Sequence, residues 1–176
     1  MRNGAGGMEA LLTALDAEGG TVSQYLIDEV TVKVPPGPAQ LAASGPRARG
    51  KEAEYELLVE LIHEGYRLHY GAPRVVRTDD PDLRLLLGDQ LYALGLARLA
   101  ALGDVAAVAE LADVISLVAQ AHAASDQVLA DAVWEAGAVA VGWGSSDAHG
   151  AAKALVRAGD DGAVDALQAI SGALSS

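Results

Sequence analysis

A glutamate and a histidine three residues apart, Glu60 and His63, form the spacing in this chain that most resembles a metal site. The E-x-x-H pattern places a carboxylate and an imidazole on one side of a helix, as in the di-iron helical bundles. Those sites need a second such motif and two further carboxylates, and the chain contains no second E-x-x-H. We therefore expect Glu60 and His63 to lie on an ordinary helix surface, and we predict no catalytic residue.

Three aspartates, Asp79, Asp80 and Asp82, form a weak candidate metal site just before a predicted helix. Carboxylate oxygens are suitable ligands for Mg²⁺. Together with Thr78 and Pro81, however, they also have the pattern of a helix start: a capping side chain, a proline in the first turn and carboxylates near the positive end of the helix dipole. We favour capping and keep the three aspartates as weak metal candidates.

The remaining residues with chemical potential indicate structural roles. His69 falls on an apolar helix face and is expected to be a hydrogen-bonded core histidine. His122 and His149 are isolated in sequence, with no nucleophile at a useful spacing. The glycine-rich run at residues 142–145 precedes a helix but lacks a phosphate-loop spacing, so we predict a turn there. We expect no cofactor to be bound by this chain alone.

The composition is that of a globular protein without disulfides. The chain has 176 residues, 51% of them hydrophobic and none of them cysteine, which predicts one domain with a substantial core and no thiolate metal site. The net charge of −12 disfavours nucleic acids and anionic membranes as partners, because both are negatively charged. No secretory signal is recognisable, and polar or small residues interrupt every apolar run before the length of a transmembrane segment. We therefore expect a cytoplasmic protein.

Apolar periodicity, capping residues and Pro/Gly positions divide the chain into three parts. Residues 1–7 are expected to be a flexible N-terminus. Residues 8–50 comprise a helix over 8–18, a segment over 21–34 that is either helical or extended, and a Pro/Gly-rich linker over 35–50. Residues 51–176 are expected to form the core of a helical bundle.

The predicted bundle core begins with helices over residues 51–70 and 82–102. The second of these is apolar over much of its circumference, so we expect it at the centre of the bundle. Asp104 is expected to cap the next helix and Ser125 the one after it. Small residues around Gly142 suit that helix to a close approach by another. The predicted fold class is all-α: a single-domain antiparallel bundle of seven or eight helices.

The order of several short motifs resembles the trans-isoprenyl diphosphate synthases. In that family a helix carrying Glu-Leu-Ile-His, the sequence of residues 60–63 here, is followed by a His-Asp-Asp step, whose histidine matches His69. A Gly-Asp step then opens the next core helix, as residues 88–89 do here, and the break at residues 101–104 is also similar. The resemblance covers residues 51–162 and implies an isoprenoid-synthase-like helical fold.

The chain departs from this family at the positions that carry its chemistry. Where the family continues Asp-Asp to begin its first aspartate-rich motif, this chain has Tyr70 and Gly71. Asp79, Asp80 and Asp82 do not sit where that motif belongs, and we expect a truncated chain without the helix that bears the second motif. In the family these motifs hold the Mg²⁺ ions that polarise the diphosphate leaving group. The resemblance therefore implies a protein that is not catalytic by itself, with Mg²⁺ bound only in a catalytic partner.

The chain is similar in these respects to the non-catalytic small subunit of heteromeric prenyl diphosphate synthases, which make the polyprenyl tail of quinones such as menaquinone. The implied partner is the large catalytic subunit or a second copy of this chain. Since subunits of the family associate through core helices, the resemblance places the interface on Leu91, Tyr92, Leu96, Leu99, Val108, Leu111, Ile115 and Val118. The same residues fit an intramolecular core equally well.

Two alternative functions stay open. The first is a helical interaction or scaffold protein unrelated to prenyl chemistry. A stable homodimer without any effect on prenyl transfer would favour it. The second is a degenerate prenyl or terpene synthase with residual activity. Magnesium-dependent release of diphosphate by the pure chain would favour it.

Overall fold

The computed structural model describes residues 4–28 and 35–175, and within them it contains α-helices, short 3₁₀ turns and one isolated antiparallel bridge between Leu26 and Val76. The prediction of an all-α fold is confirmed. The described residues contain nine α-helices, where seven or eight are predicted. They are α1 (Gly4–Glu18), α2 (Gly20–Ser23), α3 (Pro38–Ala43), α4 (Glu52–Tyr70), α5 (Pro81–Ala101), α6 (Val105–Ala123), α7 (Gln127–Trp143), α8 (Asp147–Ala158) and α9 (Ala163–Gly172).

The N-terminal part is more ordered than its glycines indicate. Helix α1 already begins at Gly4, inside the segment over residues 1–7 that is predicted to be flexible. Gly7 is buried so closely against α4 that a Cβ there would lie 2.7 Å from Glu56 Oε1. The segment over 21–34 contains α2, and its residues 29–34, with the alternating Thr-Val-Lys-Val stretch, lie outside the described residues.

The Pro/Gly-rich segment over residues 35–50 packs into the core instead of acting as a linker. Pro38 supplies the first residue of α3, where a backbone N–H is not needed. Helix α3 buries its alanines against α4 and α7. A Cβ on Gly45 would lie 2.2 Å from the carbonyl oxygen of Gly142. Small residues here allow two backbones to touch, which confirms the close approach predicted around Gly142.

Replacing Gly142 with alanine is expected to destabilise the protein by about 1–3 kcal/mol, because the overpacked contact forces the backbones apart. The new Cβ would lie 2.5 Å from the carbonyl oxygen of Ala42. Gly150 in α8 is the matched control, since a Cβ there meets open space, and alanine should raise the free energy of unfolding by about 0.5–1 kcal/mol. Urea unfolding of both variants measures the difference, and equal effects would contradict the close contact.

Helix α4, and not α5, lies at the centre of the fold. Helix α4 contacts α1, α3, α5 and α6, and it has buried residues on all sides. Helix α5 leaves Leu85 and Leu86 47% and 60% exposed. The predicted central position of the helix over 82–102 is therefore wrong. The side of α5 that packs inward consists of Leu87, Gly88, Leu91, Gly95 and Leu99.

Most of the predicted helix starts are present. Asp80 caps α5, accepting two backbone N–H bonds at 3.0 and 3.2 Å, and Asp104 caps α6 with one at 3.0 Å. Ser146 caps α8. Helix α7 is capped by Asp126, which accepts a backbone bond at 2.9 Å. The prediction of Ser125 as that cap is wrong, since its φ of 58° places it in the left-handed region.

Helix α6 is long and apolar enough to cross a bilayer, with a mean hydropathy of 1.4 over 18 residues. Core helices of soluble proteins meet the same condition, and 39% of this window is buried inside the fold. One such helix is weak support for a membrane span, and the absence of a transmembrane segment stays a prediction.

Candidate functional site

Three glutamates spaced one helical turn apart are the most unusual feature of α4. Glu56, Glu60 and Glu64 follow one side of the helix, and all three are buried, Glu60 being 2% and Glu64 0% exposed. Gln40 of α3 donates from Nε2 to Glu56 Oε1 at 3.0 Å and to Glu60 Oε1 at 3.1 Å. We call Glu56, Glu60 and Glu64 the glutamate ladder. The expectation that Glu60 and its neighbour His63 lie on an ordinary helix surface is wrong.

Arg74, in the connection between α4 and α5, pairs with two residues of the glutamate ladder. Its Nη2 donates to Glu60 Oε2 at 2.6 Å, and its Nε to Glu64 Oε2 at 3.2 Å. The other oxygen of Glu64 accepts the backbone N–H bonds of Arg74 and Val75 at 2.6 and 2.7 Å. Buried carboxylates are stable only when paired and hydrogen-bonded in this way. The ladder therefore ties the α4–α5 connection to the central helix.

His63 packs in an aromatic cluster with Tyr66 and Trp134. The His63 ring centroid lies 5.7 Å from that of Tyr66 and 4.7 Å from that of Trp134, and the centroids of Tyr66 and Trp134 are 5.5 Å apart. Burial, helped by repulsion from the Arg74 and Arg67 guanidinium groups, lowers the pKa of His63 well below its usual 6.5. The imidazole is therefore neutral at pH 7.

A cavity of about 340 Å³ lies at the C-terminal end of α4, against α7. Three side chains that line it have a buried nitrogen without a hydrogen-bond partner among the described residues: His63 Nδ1, Arg67 Nε and Trp134 Nε1. Asp131 and Glu135 of α7, both exposed, line the same cavity. The cavity thus has aromatic walls and carboxylates at its rim, and the three unpaired nitrogen atoms are enclosed by the surrounding protein.

The predicted metal candidates are not brought together. Asp79, Asp80 and Asp82 lie exposed at the start of α5, and Asp80 serves as its cap. Glu60 is occupied by its bonds to Gln40 and Arg74. Over residues 4–28 and 35–175, no three His, Asp or Glu side chains are grouped so that they could hold a metal ion.

The end of α4, where the family resemblance implies aspartates, carries aromatic packing. The His69 ring is stacked on Tyr92 with centroids 5.2 Å apart, and its Nε2 lies 3.0 Å from Asp89 Oδ1 without hydrogen-bond alignment. The next residue, Tyr70, is stacked on His122 at 4.3 Å. His69 is therefore half-buried against Tyr92, with its side chain 15% exposed. The predicted hydrogen bond is not formed, and the exposed carboxylate of Asp89 lies beside the ring instead.

A second network of charged residues joins α6 to α8. Glu110 accepts hydrogen bonds from Lys153 Nζ at 3.0 Å, and its Oε2 lies 2.9 Å from His149 Nε2. Lys153 also donates to Asp113 Oδ2 at 2.7 Å. Burial by itself would raise the pKa of Glu110, but the hydrogen bonds with His149 and Lys153 outweigh it and lower that pKa to about 2. The backbone N–H of His149 donates to Ser146 Oγ in the cap of α8, so His149 has a structural role. We call the network of Glu110, Asp113, His149 and Lys153 the α6–α8 clamp.

The eight predicted interface residues fall into two groups. Four of them are fully or almost fully buried inside this chain: Leu91, Leu99, Leu111 and Val118. The other four are half-buried and pack against the core: Tyr92, Leu96, Val108 and Ile115. A partner can reach only the second group without rearranging the core.

Helix α5 presents a second apolar side to solvent, opposite the side that packs on α4. Between residues 85 and 100, its exposed positions are leucine and alanine except for Asp89 and Gln90. These two polar side chains lie between the leucines and the alanines and interrupt the apolar surface. Exposed apolar side chains grouped on one side of a helix are typical of an interaction site. We call the following residues the outer face of α5: Leu85, Leu86, Ala93, Leu96, Ala97 and Ala100.

The sequence prediction misses both the glutamate ladder and the cavity. The available signal for the ladder is the spacing of Glu56, Glu60 and Glu64 on a helix whose other sides are apolar, which leaves no side for solvent. The pairing with Arg74 cannot be read from a pattern, because that residue lies in an irregular connection. The cavity depends on Trp134, which a different helix brings to His63.

No protein-family model, curated protein or solved structure matches this chain.

Proposed function

We propose that this chain is a non-catalytic accessory subunit of a polyprenyl diphosphate synthase, with an isoprenoid-synthase-like helical fold, and that it docks on the large catalytic subunit through the outer face of α5. The observation that carries the proposal is the exposed apolar character of this face, with Leu86 60% exposed, on a helix whose opposite side is already packed. This helix contains the Gly88-Asp89 step that resembles the family's core helix.

The end of α4 supports the non-catalytic part of the proposal. Tyr70 and Gly71 stand where the resemblance implies the first aspartates. The buried carboxylates Glu60 and Glu64 are committed to structural bonds, and Asp80 to a helix cap. Polarisation of a diphosphate leaving group by Mg²⁺ is accordingly assigned to the catalytic partner, which makes the polyprenyl tail of the quinone.

The composition of the outer face of α5 suits it to docking against an apolar helix. Alanines at positions 93, 97 and 100 are small, so a partner helix can approach closely, as in small-residue helix contacts elsewhere in this fold. The flanking leucines contribute about 25 cal/mol for each Å² of apolar surface that they bury. The half-buried Tyr92 and Leu96 lie on the same helix and are the accessible part of the predicted interface on α5.

Replacing Leu86 with aspartate is expected to weaken binding to the catalytic prenyl synthase of the same organism by about 100-fold or more, because it buries an unpaired charge at a docked face. The variant should fold normally, since Leu86 is largely exposed. Val128→Asp is the matched control: Val128 is 59% exposed on α7, away from the outer face of α5. Light scattering on eluted mixtures and calorimetric titration measure complex formation.

Binding by the unchanged chain and by V128D, together with its loss in L86D, supports the proposal. Equal binding by all three, or binding by none, contradicts it. A homodimer that L86D dissolves, in a chain that ignores the synthase, would identify a helical scaffold protein instead.

A further inference from the structure

Asp89 lies within the surface of α5 that is proposed to dock on a partner. Between residues 85 and 100, all of which the structure describes, it is the only charged residue at an exposed position. It lies one helical turn from Leu85, Leu86 and Ala93. Its side chain is 71% exposed in the free chain, so water solvates the carboxylate. A partner that covers the outer face of α5 removes that water, and a buried carboxylate without a cation is unfavourable. A positive charge beside Asp89 therefore favours docking.

His69 of α4 is placed to supply that charge. Its Nε2 lies 3.0 Å from Asp89 Oδ1, and this nitrogen makes no hydrogen bond among the described residues. Stacking on Tyr92, with the two ring planes 3° apart, holds the imidazole in place. Gly88 leaves room for the ring, since a Cβ there would lie 2.7 Å from Nε2. Histidine takes up a proton within the pH range of about 5–8, and the exposed Asp89 side chain can rotate to accept a charge-assisted hydrogen bond from the imidazolium.

The two arginines of α5 are engaged by other groups. Arg84 donates from Nη2 to the carbonyl oxygen of Gly71 at 2.7 Å, at the C-terminal end of α4. Arg98 forms an ion pair with Glu18 of α1. Neither guanidinium is paired with Asp89, so the cation that lies closest to this carboxylate is the one that His69 becomes on protonation.

The other titratable groups that face His69 are tyrosines. Tyr92 of α5 stacks on its ring, and Tyr70 of α4 lies 5.7 Å from it between ring centroids. Tyr70 in turn stacks on His122 of α6. Tyrosine hydroxyls are neutral over the pH range in which histidine titrates. Asp89 is therefore the charged side chain that acts on His69 directly in the described part of the chain.

We propose that docking on the outer face of α5 is coupled to the uptake of a proton by His69, which becomes the counter-ion of Asp89 when a partner covers it. This coupling rests on the docking function proposed above. It gives the surface its own positive charge, so the helix of the partner opposite Asp89 can be apolar throughout. Because formation of the complex consumes a proton, docking tightens as the pH falls and weakens as it rises.

Calorimetric titration of the full chain with the catalytic prenyl synthase of the same organism tests the coupling. At about pH 7.5 the titration is run in phosphate and in Tris, because the observed enthalpy includes the ionisation enthalpy of the buffer and so counts the protons taken up. We expect uptake of up to about one proton for each complex. Dissociation constants measured at about pH 6 and pH 8 should show binding at least about fivefold tighter at the lower pH.

Two variants separate this coupling from titration of groups on the synthase. Asp89→Asn should abolish the proton uptake and the pH dependence, and at pH 8 it should bind at least as tightly as the unchanged chain, because no charge is buried. His69→Gln should also abolish both, with weak binding at pH 6 as well as at pH 8. Asp161→Asn is the matched control: it changes an exposed aspartate between α8 and α9, outside the outer face of α5, and should keep the pH dependence. Circular dichroism is used to verify that each variant is folded.

Docking with equal affinity at pH 6 and pH 8 overturns the coupling and leaves the docking function standing. A pH dependence that persists in D89N or in H69Q overturns the coupling in the same way. Tighter binding by the unchanged chain than by D89N at pH 8 would mean that the synthase supplies the cation for Asp89, which overturns it as well. Absence of docking at every pH overturns the docking function together with the coupling.

Discussion

Replacing Arg74 with methionine is expected to lower the free energy of unfolding by about 3–5 kcal/mol, the cost of removing one partner from a buried ion pair. Glu60 and Glu64 are 2% and 0% exposed, so neither carboxylate can turn to water when the guanidinium is lost. The backbone N–H bonds to Glu64 remain, but the Glu60 oxygen that accepts from Arg74 at 2.6 Å is left without its cation. Urea or thermal unfolding followed by circular dichroism measures the loss.

Arg77→Met is the control for this prediction. Arg77 is an arginine in the same connection and is exposed, so its replacement should change stability by no more than about 0.5 kcal/mol. The double variant R74M/E60Q should recover part of the loss, since glutamine removes the unpaired charge. Equal stability of R74M and R77M would mean that the glutamate ladder is not a buried ion-pair network.

The α6–α8 clamp is expected to make stability depend on pH through Glu110. Its pKa of about 2 in the folded chain lies below the ordinary value of 4.5. This difference corresponds to at most about 3 kcal/mol of stability at neutral pH, and screening by solvent reduces that contribution. This contribution is fully present above about pH 5. As the pH falls towards 2, the unfolded chain takes up a proton before the folded chain does, so the contribution disappears.

Glu110→Gln should therefore destabilise the protein by up to about 3 kcal/mol at pH 7 and by much less near pH 2. Glu9→Gln, an exposed change on α1, should cost no more than about 0.5 kcal/mol at pH 7. Unfolding free energies measured between pH 2 and 7 test this. A constant difference between E110Q and the unchanged chain over that range would show that the clamp does not act through the Glu110 charge.

The elements of this fold that follow from local chemistry are readable in the sequence. Asp80 before Pro81 and Asp104 after Gly103 each have a capping side chain beside a helix-starting or helix-breaking neighbour, and both caps are present. Helix α4 begins and ends within a residue of the predicted 51–70. The all-α class follows from such starts, together with apolar spacing at 3.6 residues.

What the sequence does not reveal depends on contacts between distant segments. Residues 35–50 look like a linker because prolines and glycines usually interrupt structure, yet Gly45 and Gly142 provide a backbone contact that needs both partners. The leucines of α5 indicate a central helix, whereas the carboxylates of α4 argue against one. In the structure α4 is the central helix and α5 is not. The hydrogen bonds of Gln40 and Arg74 to the glutamates offset the free-energy cost of burying these carboxylates.

The candidate site shows the same limit. The sequence pattern singles out Glu60 and His63, but it does not predict that the two side chains have different roles and different surroundings. Glu60 belongs to the ion-pair network, and His63 to the aromatic wall of the cavity. Only the packing of α7 against α4, which brings Trp134 to His63, distinguishes the two.

The accessory-subunit account is tested most directly by prenyl transfer with labelled isopentenyl diphosphate and an allylic primer in the presence of Mg²⁺. The assay is run on this chain alone, on the large prenyl synthase of the same organism alone, and on the mixture. We predict activity, or longer products, only in the mixture. Activity from this chain alone would contradict the account. A large synthase that is active by itself, and whose activity and products are the same in the mixture, would also contradict it.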